Sequence, residues 1–186
     1  MMRNIITHLN RSSVIMTILS LLIFLSWSSF SAHPSPESIE NLLLSRFNLC
    51  GEIVEIKRQK GLAIFDEQQE KKVLINAIKS AKTFQFNETD VVRFISSIMN
   101  SCKKIEHFHL SNPPQKTSSK KTLLEIRHQL ANINLLIFQK IDKQMGRKQN
   151  IFISNATKKK LNQLGLADND IDALFTLINQ IKKQTP

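Results

Sequence analysis

The sequence predicts an all-α protein with the helical fold of a single domain. Only four glycines and no tyrosine occur among the 186 residues. Long segments rich in Leu, Ile, Lys and Gln place apolar residues every three or four positions, without alternating β-branched runs. Because this spacing is typical of amphipathic helices, and the length suits one domain with at most a small appendage, we expect one helical core.

The first 32 residues have the composition of a secretory signal peptide. Arg3 and Arg11 supply a basic start, residues 14–27 are mostly apolar, and the segment SSFSA at 28–32 supplies small residues for cleavage somewhere between 29 and 32. A retained anchor is the alternative, but the apolar run is short for a bilayer span of about 20 residues. We therefore predict a periplasmic or secreted protein with no stable membrane anchor after cleavage.

The mature chain, residues 33–186, is predicted to contain six helices. The motif-bearing part covers 39–145, and further C-terminal helices lie within 155–183. From apolar spacing and capping signals, the helices are expected at about 35–60, 66–83, 89–108, 120–145, 155–164 and 168–183. The predicted N-cap residues are Ser35, Asp66, Asn87 or Thr89, and Asp168.

One stripe of the first helix carries two cations. Lys57 follows Arg46 by eleven residues, so at roughly 100° per residue it returns to nearly the same side of the helix. Cys50 and Ile53 lie on the same stripe. Guanidinium and ammonium groups aimed along one apolar face suit a small dianion, although both side chains can also snorkel from a half-buried face.

The positive charge of the chain narrows the choice of partner only slightly. The leader contains two of the 26 basic residues and none of the 15 acidic ones, so the mature chain has a net charge of +9. Nucleic acid, an anionic membrane or an anionic small molecule all suit this charge. The basic residues are spread along the chain with few interleaved aromatic residues, which favours a solvated cationic surface and no nucleic-acid partner.

The cysteines and histidines give no metal or nucleophile motif. Cys50 and Cys102 would reside in an exported chain, where a disulfide is permitted. His107 and His109 are two residues apart and point to different sides of a helix, so we expect no metal site. Cys102 is loosely spaced from His107 for a thiolate and its base, so a packed or disulfide-bonded sulfur is preferred.

Several short motifs in a fixed order resemble the all-helical AroQ class of chorismate mutases, in particular its exported, gamma-type members. The resemblance covers about 39–145 and includes the Arg-bearing segment of the fourth predicted helix. The matching segments are Arg46-Phe47, Lys57, GLAIFDEQQE at 61–70, FISSIM at 94–99 with Lys103 and Glu106, and LEIR at 124–127. The leader peptide agrees with the exported subclass.

The resemblance implies conversion of chorismate to prephenate by a pericyclic rearrangement, without a cofactor or metal. In that reaction Arg46 and Arg127 would grip the carboxylates of the substrate, and Lys57 would donate to the ether oxygen and a carboxylate. The enzyme would act by positioning the substrate and by electrostatic preorganisation. A homodimer is expected, with a monomer as the alternative.

The resemblance assigns roles to three acidic residues as well. Glu106 would be the second donor to the ether oxygen, and a carboxyl group can donate only when it is protonated. Apolar surroundings would have to raise its pKa, so activity should favour mildly acidic pH. Asp66 and Glu70 would contact the hydroxyl region of the substrate.

Two positions of the binding site depart from the family pattern. Gln69 stands where the family usually has Arg, which removes one cation, and Arg58 or Lys60 is a possible replacement. Cys102 stands in place of a Ser or Thr that helps to hold the substrate. If Cys50 also faces the site, a disulfide between the two cysteines would alter or occlude it.

Two other functions stay open from the sequence. An exported helical protein that retains the fold without the activity would use its basic surface for interaction. An anchored periplasmic protein that binds nucleic acid or membrane would show steeply salt-dependent binding.

Overall fold

The computed structural model describes residues 37–63, 66–112 and 121–184, and the predicted leader lies outside them. This part of the chain is all-helical, as predicted, and its β-structure is limited to an isolated bridge between Phe86 and Lys183. The helices are α1 (Ile39–Gln59), α2 (Glu67–Lys82), α3 (Glu88–Ser111), α4 (Leu123–Gly146), α5 (Asn155–Gln163) and α6 (Asp168–Gln180). No helix in the described ranges is long and apolar enough to cross a membrane.

Helix α1 begins later than predicted. Ser38 is its N-cap, and the Ser38 hydroxyl accepts a hydrogen bond from the backbone N–H of Asn41 at 3.2 Å. The prediction of Ser35 as N-cap was therefore wrong, because Ser38 offers the same cap chemistry next to the first buried residue, Ile39. The helix ends at Gln59, and Gly61 adopts a φ of 62°, a conformation that favours glycine.

The predicted caps of α2 and α3 are confirmed. The Asp66 side chain accepts from the backbone N–H of Gln69, and Asn87 caps α3 by accepting from the N–H of Asp90. These local hydrogen bonds satisfy backbone donors that have no partner inside the helix. The cap bond at the start of α2 therefore holds the Asp66 side chain against the first turn of the helix.

The predicted cap of α6 was wrong by one residue. Ala167 is the N-cap and makes no side-chain cap bond, whereas Asp168 is the first helical residue. The Asp168 carboxylate instead accepts from the Asn162 side chain at 2.7 Å and pairs with Lys158 at 3.6 Å. A carboxylate in the first turn still interacts favourably with the helix dipole. Asp168 therefore marks the start of α6 correctly, but it lies one residue after the N-cap.

The core lies where α1 packs against α3 and α4. Helix α2 covers α3 and α4 from another side, α5 packs on α1, and α6 packs on α3. The C-terminal helices are part of this core, because Leu161, Ile171, Leu174 and Ile178 are buried in the same cluster as the residues of α1 and α3. Helices α1 to α4 also line one cavity.

Candidate active site

The cavity has a volume of about 520 Å³ and is lined by residues of α1, α2, α3 and α4 together with the α2 cap. This volume lies within the usual range for small-molecule sites. All eight residues predicted for substrate binding line it: Arg46, Lys57, Asp66, Gln69, Glu70, Cys102, Glu106 and Arg127. The structure therefore brings together residues that are up to about 80 positions apart in the sequence.

Helix α1 contributes the predicted stripe to one wall of the cavity. Arg46, Cys50, Ile53 and Lys57 all line it. Arg46 and Lys57 are 2% and 8% exposed, so both cations are buried against this wall rather than extended into solvent. The alternative interpretation was that both side chains snorkel from the helix face. A snorkelling side chain keeps its charged end in water, so this interpretation does not fit side chains buried to this extent.

The guanidinium of Arg46 is held by uncharged acceptors. Its Nε donates to Asn134 Oδ1 at 2.9 Å, and its Nη1 lies 2.9 Å from Cys102 Sγ. Burial lowers the pKa of Arg46 to about 9, so the group is still protonated at neutral pH. No carboxylate of the described ranges forms an ion pair with it, which leaves a buried positive charge that an anionic ligand would stabilise.

Glu106 faces the same cavity from α3 and is 8% exposed. Its burial raises the pKa of the carboxyl group to about 7, opposed by the charge of Lys57 and, more weakly, of Lys103, and assisted by the charge of Glu70. The burial of a carboxyl group favours its neutral form. A substantial fraction of Glu106 is therefore protonated near neutral pH and can donate a hydrogen bond.

Helix α2 and its cap contribute acidic residues that pair with cations of the opposite wall. Asp66 Oδ2 accepts from Arg127 Nη2 of α4 at 3.2 Å, and Glu70 pairs with Lys103 of α3 at 2.9 Å. Gln69 lies between these two acids in the sequence and lines the cavity as well. These ion pairs link α2 to α3 and α4 around the cavity.

The two cysteines are joined by a disulfide between α1 and α3. Their Cα atoms are 5.5 Å apart, within the usual range for a disulfide, and both residues line the cavity. A nucleophilic Cys102 is excluded in this state because its sulfur is bonded. Cys102, which stands where the resemblance implies a hydrogen-bonding Ser or Thr, is therefore part of a disulfide.

The suggestion that Arg58 or Lys60 replaces the missing arginine at position 69 was wrong. Arg58 forms a two-pronged pair with Glu55, with N–O distances of 2.9–3.1 Å, and neither Arg58 nor Lys60 lines the cavity. Both cations follow the end of the stripe on other sides of the helix. Lys72 and Lys103 are cavity cations instead.

Some cavity residues were missed as site residues by sequence reasoning. Lys72 is three residues after Gln69, and Asn134 is seven residues after Arg127, so each shares a helix face with a predicted site residue. Helical spacing would have been enough to find them. His128, Asn76 and Ser80 line the cavity too, and no motif pointed to them.

The cavity suits a small molecule with two negative charges. Its lining holds more cationic than acidic side chains, and Glu106 is partly neutral near pH 7. In the described ranges no group of three or more His, Cys, Asp or Glu residues is arranged to hold a metal ion. The cavity offers electrostatic chemistry, because cations and the protonatable carboxyl group of Glu106 surround the space for an anionic ligand.

Comparisons with known proteins point in the same direction. Residues 37–107 match the family model of chorismate mutase type II. A secreted chorismate mutase of Yersinia pestis is 23% identical over 152 residues, which is 76% of this chain and 78% of that protein. A crystal structure of secreted chorismate mutase from Yersinia pestis superposes with a TM-score of 0.64 at 20% identity, covering 78% of this chain and 97% of that chain; this likeness shows the fold.

Proposed function

We propose that the chain is an exported enzyme of the type II, or AroQ, chorismate mutase family and converts chorismate to prephenate in the cavity described above. Residues 37–107 match the model of that family, and a secreted chorismate mutase is similar to the chain over most of its length. The observation that carries this proposal is the convergence of Arg46, Lys57, Arg127 and Glu106 on one cavity of about 520 Å³. Three cations and one protonatable donor match a dianionic substrate with an ether oxygen. No cofactor enters the proposal.

Arg46 and Arg127 bind the two carboxylates of the substrate. Guanidinium groups form charge-assisted, often two-pronged hydrogen bonds with carboxylates, which fix orientation as well as adding binding energy. Arg46 is held in place by Asn134, whereas Arg127 is paired with Asp66 at 3.2 Å. On binding, Arg127 exchanges part of this partly exposed ion pair for the substrate carboxylate.

The reaction itself is a one-step rearrangement within the bound substrate. The ether C–O bond breaks as a new C–C bond forms, and negative charge builds on the ether oxygen in the transition state. Lys57 donates to that oxygen and to a carboxylate, and protonated Glu106 donates from the opposite wall. Donors placed in advance where charge develops are often the largest contribution to catalysis.

The remaining contribution is positioning. The flexible substrate must be held in its compact reactive conformation, and binding both of its ends restricts it to that conformation. Asp66 and Glu70 contact the hydroxyl region of the substrate. Their ion pairs with Arg127 and Lys103 hold these two acidic side chains at the cavity wall. Thus no covalent intermediate is required.

Export and assembly complete the proposal. The signal-peptide pattern of residues 1–32, and the secreted relative in Yersinia pestis, support a periplasmic or secreted enzyme. We also propose a homodimer in solution. Light scattering of the purified protein tests this assembly directly, and a monomeric mass at micromolar concentration would reject it.

The loss of chorismate absorbance with purified processed protein tests the proposed activity. Lys57→Ala should reduce kcat at least about a hundredfold, since it removes a donor to the ether oxygen. The matched control is Lys60→Ala, because Lys60 is exposed near the same helix end and does not line the cavity. Circular dichroism checks that both variants stay helical. No turnover by wild type at pH 5–7 would mean that the fold is used for binding instead.

A further inference from the structure

The disulfide lies at the centre of the proposed catalytic residues. Cys50 is one helical turn after Arg46 on α1, and Cys102 is one turn before Glu106 on α3. The bond therefore joins the helix that carries Arg46 and Lys57 to the helix that carries Glu106. A crosslink at this position sets the distance between the two walls that would hold the ether oxygen.

The disulfide also contacts the guanidinium directly. Cys102 Sγ lies 2.9 Å from Arg46 Nη1, and Cys50 Sγ lies 3.9 Å from the same nitrogen. Arg46 is buried, and its Nε also donates a hydrogen bond to Asn134 Oδ1 at 2.9 Å. The sulfur pair and the amide oxygen thus hold the guanidinium from two sides and limit its conformations.

We propose that the Cys50–Cys102 disulfide is a positioning element that fixes Arg46 toward the substrate carboxylate, so that the oxidised protein is the competent form. This inference rests on the proposed function. Formation of the bond removes two protons and two electrons from the thiols, and a disulfide-type oxidant accepts them and becomes two thiols. Compartments that receive exported proteins permit this exchange.

Breaking the bond should disorganise Arg46 by a simple physical route. Two thiol sulfurs cannot stay at bonding distance, so Cys102 Sγ must move relative to Arg46 or the two helices must separate. Each thiol also brings a weak S–H donor next to a cation that needs acceptors. The guanidinium then loses one of its two fixed contacts, and binding of the carboxylate becomes less well oriented.

Cys50→Ala tests the proposal without chemical reduction, because it removes the bond and leaves Cys102 in place. Prephenate affinity by calorimetry, and kcat and KM for chorismate, are measured beside wild type. We expect KM and the prephenate Kd to rise about tenfold, the size of one lost contact to a charged group, with a smaller change in kcat. A merely structural crosslink would lower the thermal midpoint and leave KM and Kd unchanged, which would overturn the proposal.

A double-mutant cycle tests whether the effect passes through Arg46. Cys50→Ala is repeated in an Arg46→Lys background, where the fork that contacts the sulfur is absent. The prephenate Kd should then change by less than about twofold, because coupled residues give non-additive effects. An unchanged tenfold effect in that background would overturn the positioning role. Higher affinity or turnover in Cys50→Ala than in wild type would also overturn it, by showing that the bond narrows the cavity.

Reduction of folded wild type with dithiothreitol provides a second route if Cys50→Ala folds poorly. Thiol titration in denaturant confirms that the bond is broken, and Arg46→Lys treated alike shows any effect of reduction that does not pass through Arg46. A rise in KM on reduction that reverses on reoxidation is expected, and an unchanged KM rejects the proposal. Absence of turnover by oxidised wild type would instead reject the proposed function, so the two failures are distinct.

Discussion

Arg46 Nε donates to Asn134 Oδ1 over 2.9 Å, across 88 residues of sequence, and this bond joins α1 to α4 at the cavity wall. The partner of Nε in this buried guanidinium is a neutral amide oxygen and not a carboxylate. A carboxylate would neutralise the cation and compete with a bound anion, whereas an amide orients the group and leaves its charge available. The pair is therefore suited to ligand binding more than to stability alone.

Asn134→Asp should separate these two effects. The new carboxylate would form an ion pair with Arg46, so the free energy of unfolding should be maintained. The proposed substrate would then compete with an internal anion, and we expect kcat/KM for chorismate to fall at least about tenfold, the equivalent of one charge-assisted contact. Denaturant unfolding and steady-state kinetics give the two quantities.

Asn132→Asp is the matched control, since Asn132 is exposed on the same helix and does not line the cavity. It adds the same charge to α4 at a distance from Arg46. A similar fall in kcat/KM for both variants would mean that the general charge of the protein, and not the Arg46–Asn134 bond, controls binding.

Glu106 predicts the pH dependence of activity. The pKa of its carboxyl group is raised to about 7, mainly by burial, and only the protonated form can donate to the ether oxygen. We therefore expect kcat to be highest below about pH 6 and to fall tenfold per pH unit well above pH 7. Glu106→Gln has a permanent amide donor, so its kcat should be flat between pH 5 and 9. A wild-type profile that is flat across this range would contradict the assignment.

The same raised pKa affects stability with a definite sign. The folded state binds the Glu106 proton more tightly than the unfolded chain, whose carboxyl group titrates near its ordinary value of 4.5. The free energy of unfolding of wild type should therefore fall, relative to that of Glu106→Gln, as pH rises from about 4.5 to 7. Urea denaturation at several pH values measures the difference, and a constant difference would contradict the shift.

Substitutions at Asp66 and Arg127 should separate the contribution of helix capping to stability from that of the ion pair. Asp66→Ala removes both the cap bond to Gln69 and the pair with Arg127, and should lower the free energy of unfolding by about 1 kcal/mol. Arg127→Ala removes only the pair, whose side chains are 34% and 41% exposed, so it should cost at most about 0.5 kcal/mol. Equal losses by denaturant unfolding would show that the ion pair dominates.

Local signals were enough to predict much of this molecule. Asp66 and Asn87 are caps because a short polar side chain before an apolar helical run satisfies nearby backbone donors. The cavity stripe of Arg46 and Lys57 follows from helix periodicity alone, since an eleven-residue separation fixes a common face. Both predictions depend on residues close together in sequence.

Contacts between distant segments could not be predicted in this way. The Arg46–Asn134 bond depends on how α1 crosses α4, and no pattern in either helix specifies that crossing. Arg58 shows the converse error: it was a candidate because of its sequence position, but its nearest carboxylate, Glu55, already binds it. Tertiary packing decides which of several possible side chains a charged residue binds, and local sequence patterns do not specify that packing.

Gln69 is the position at which a substitution should improve the enzyme. Gln69→Arg would add a cation to the cavity wall at the place where the family usually has Arg, one turn before Lys72. A further preorganised charge should raise kcat/KM for chorismate about tenfold or more. Steady-state kinetics at pH 6 measures the gain.

Gln68→Arg is the control for this gain, because Gln68 is exposed, does not line the cavity and adds the same charge to the same turn of α2. General attraction of a dianion by a more basic protein would raise kcat/KM equally in both variants, and would fade with salt. A gain confined to Gln69→Arg that persists at high salt identifies a direct contact in the cavity. If neither variant gains while Lys72→Ala loses activity, then Lys72 already supplies the charge that Gln69 lacks.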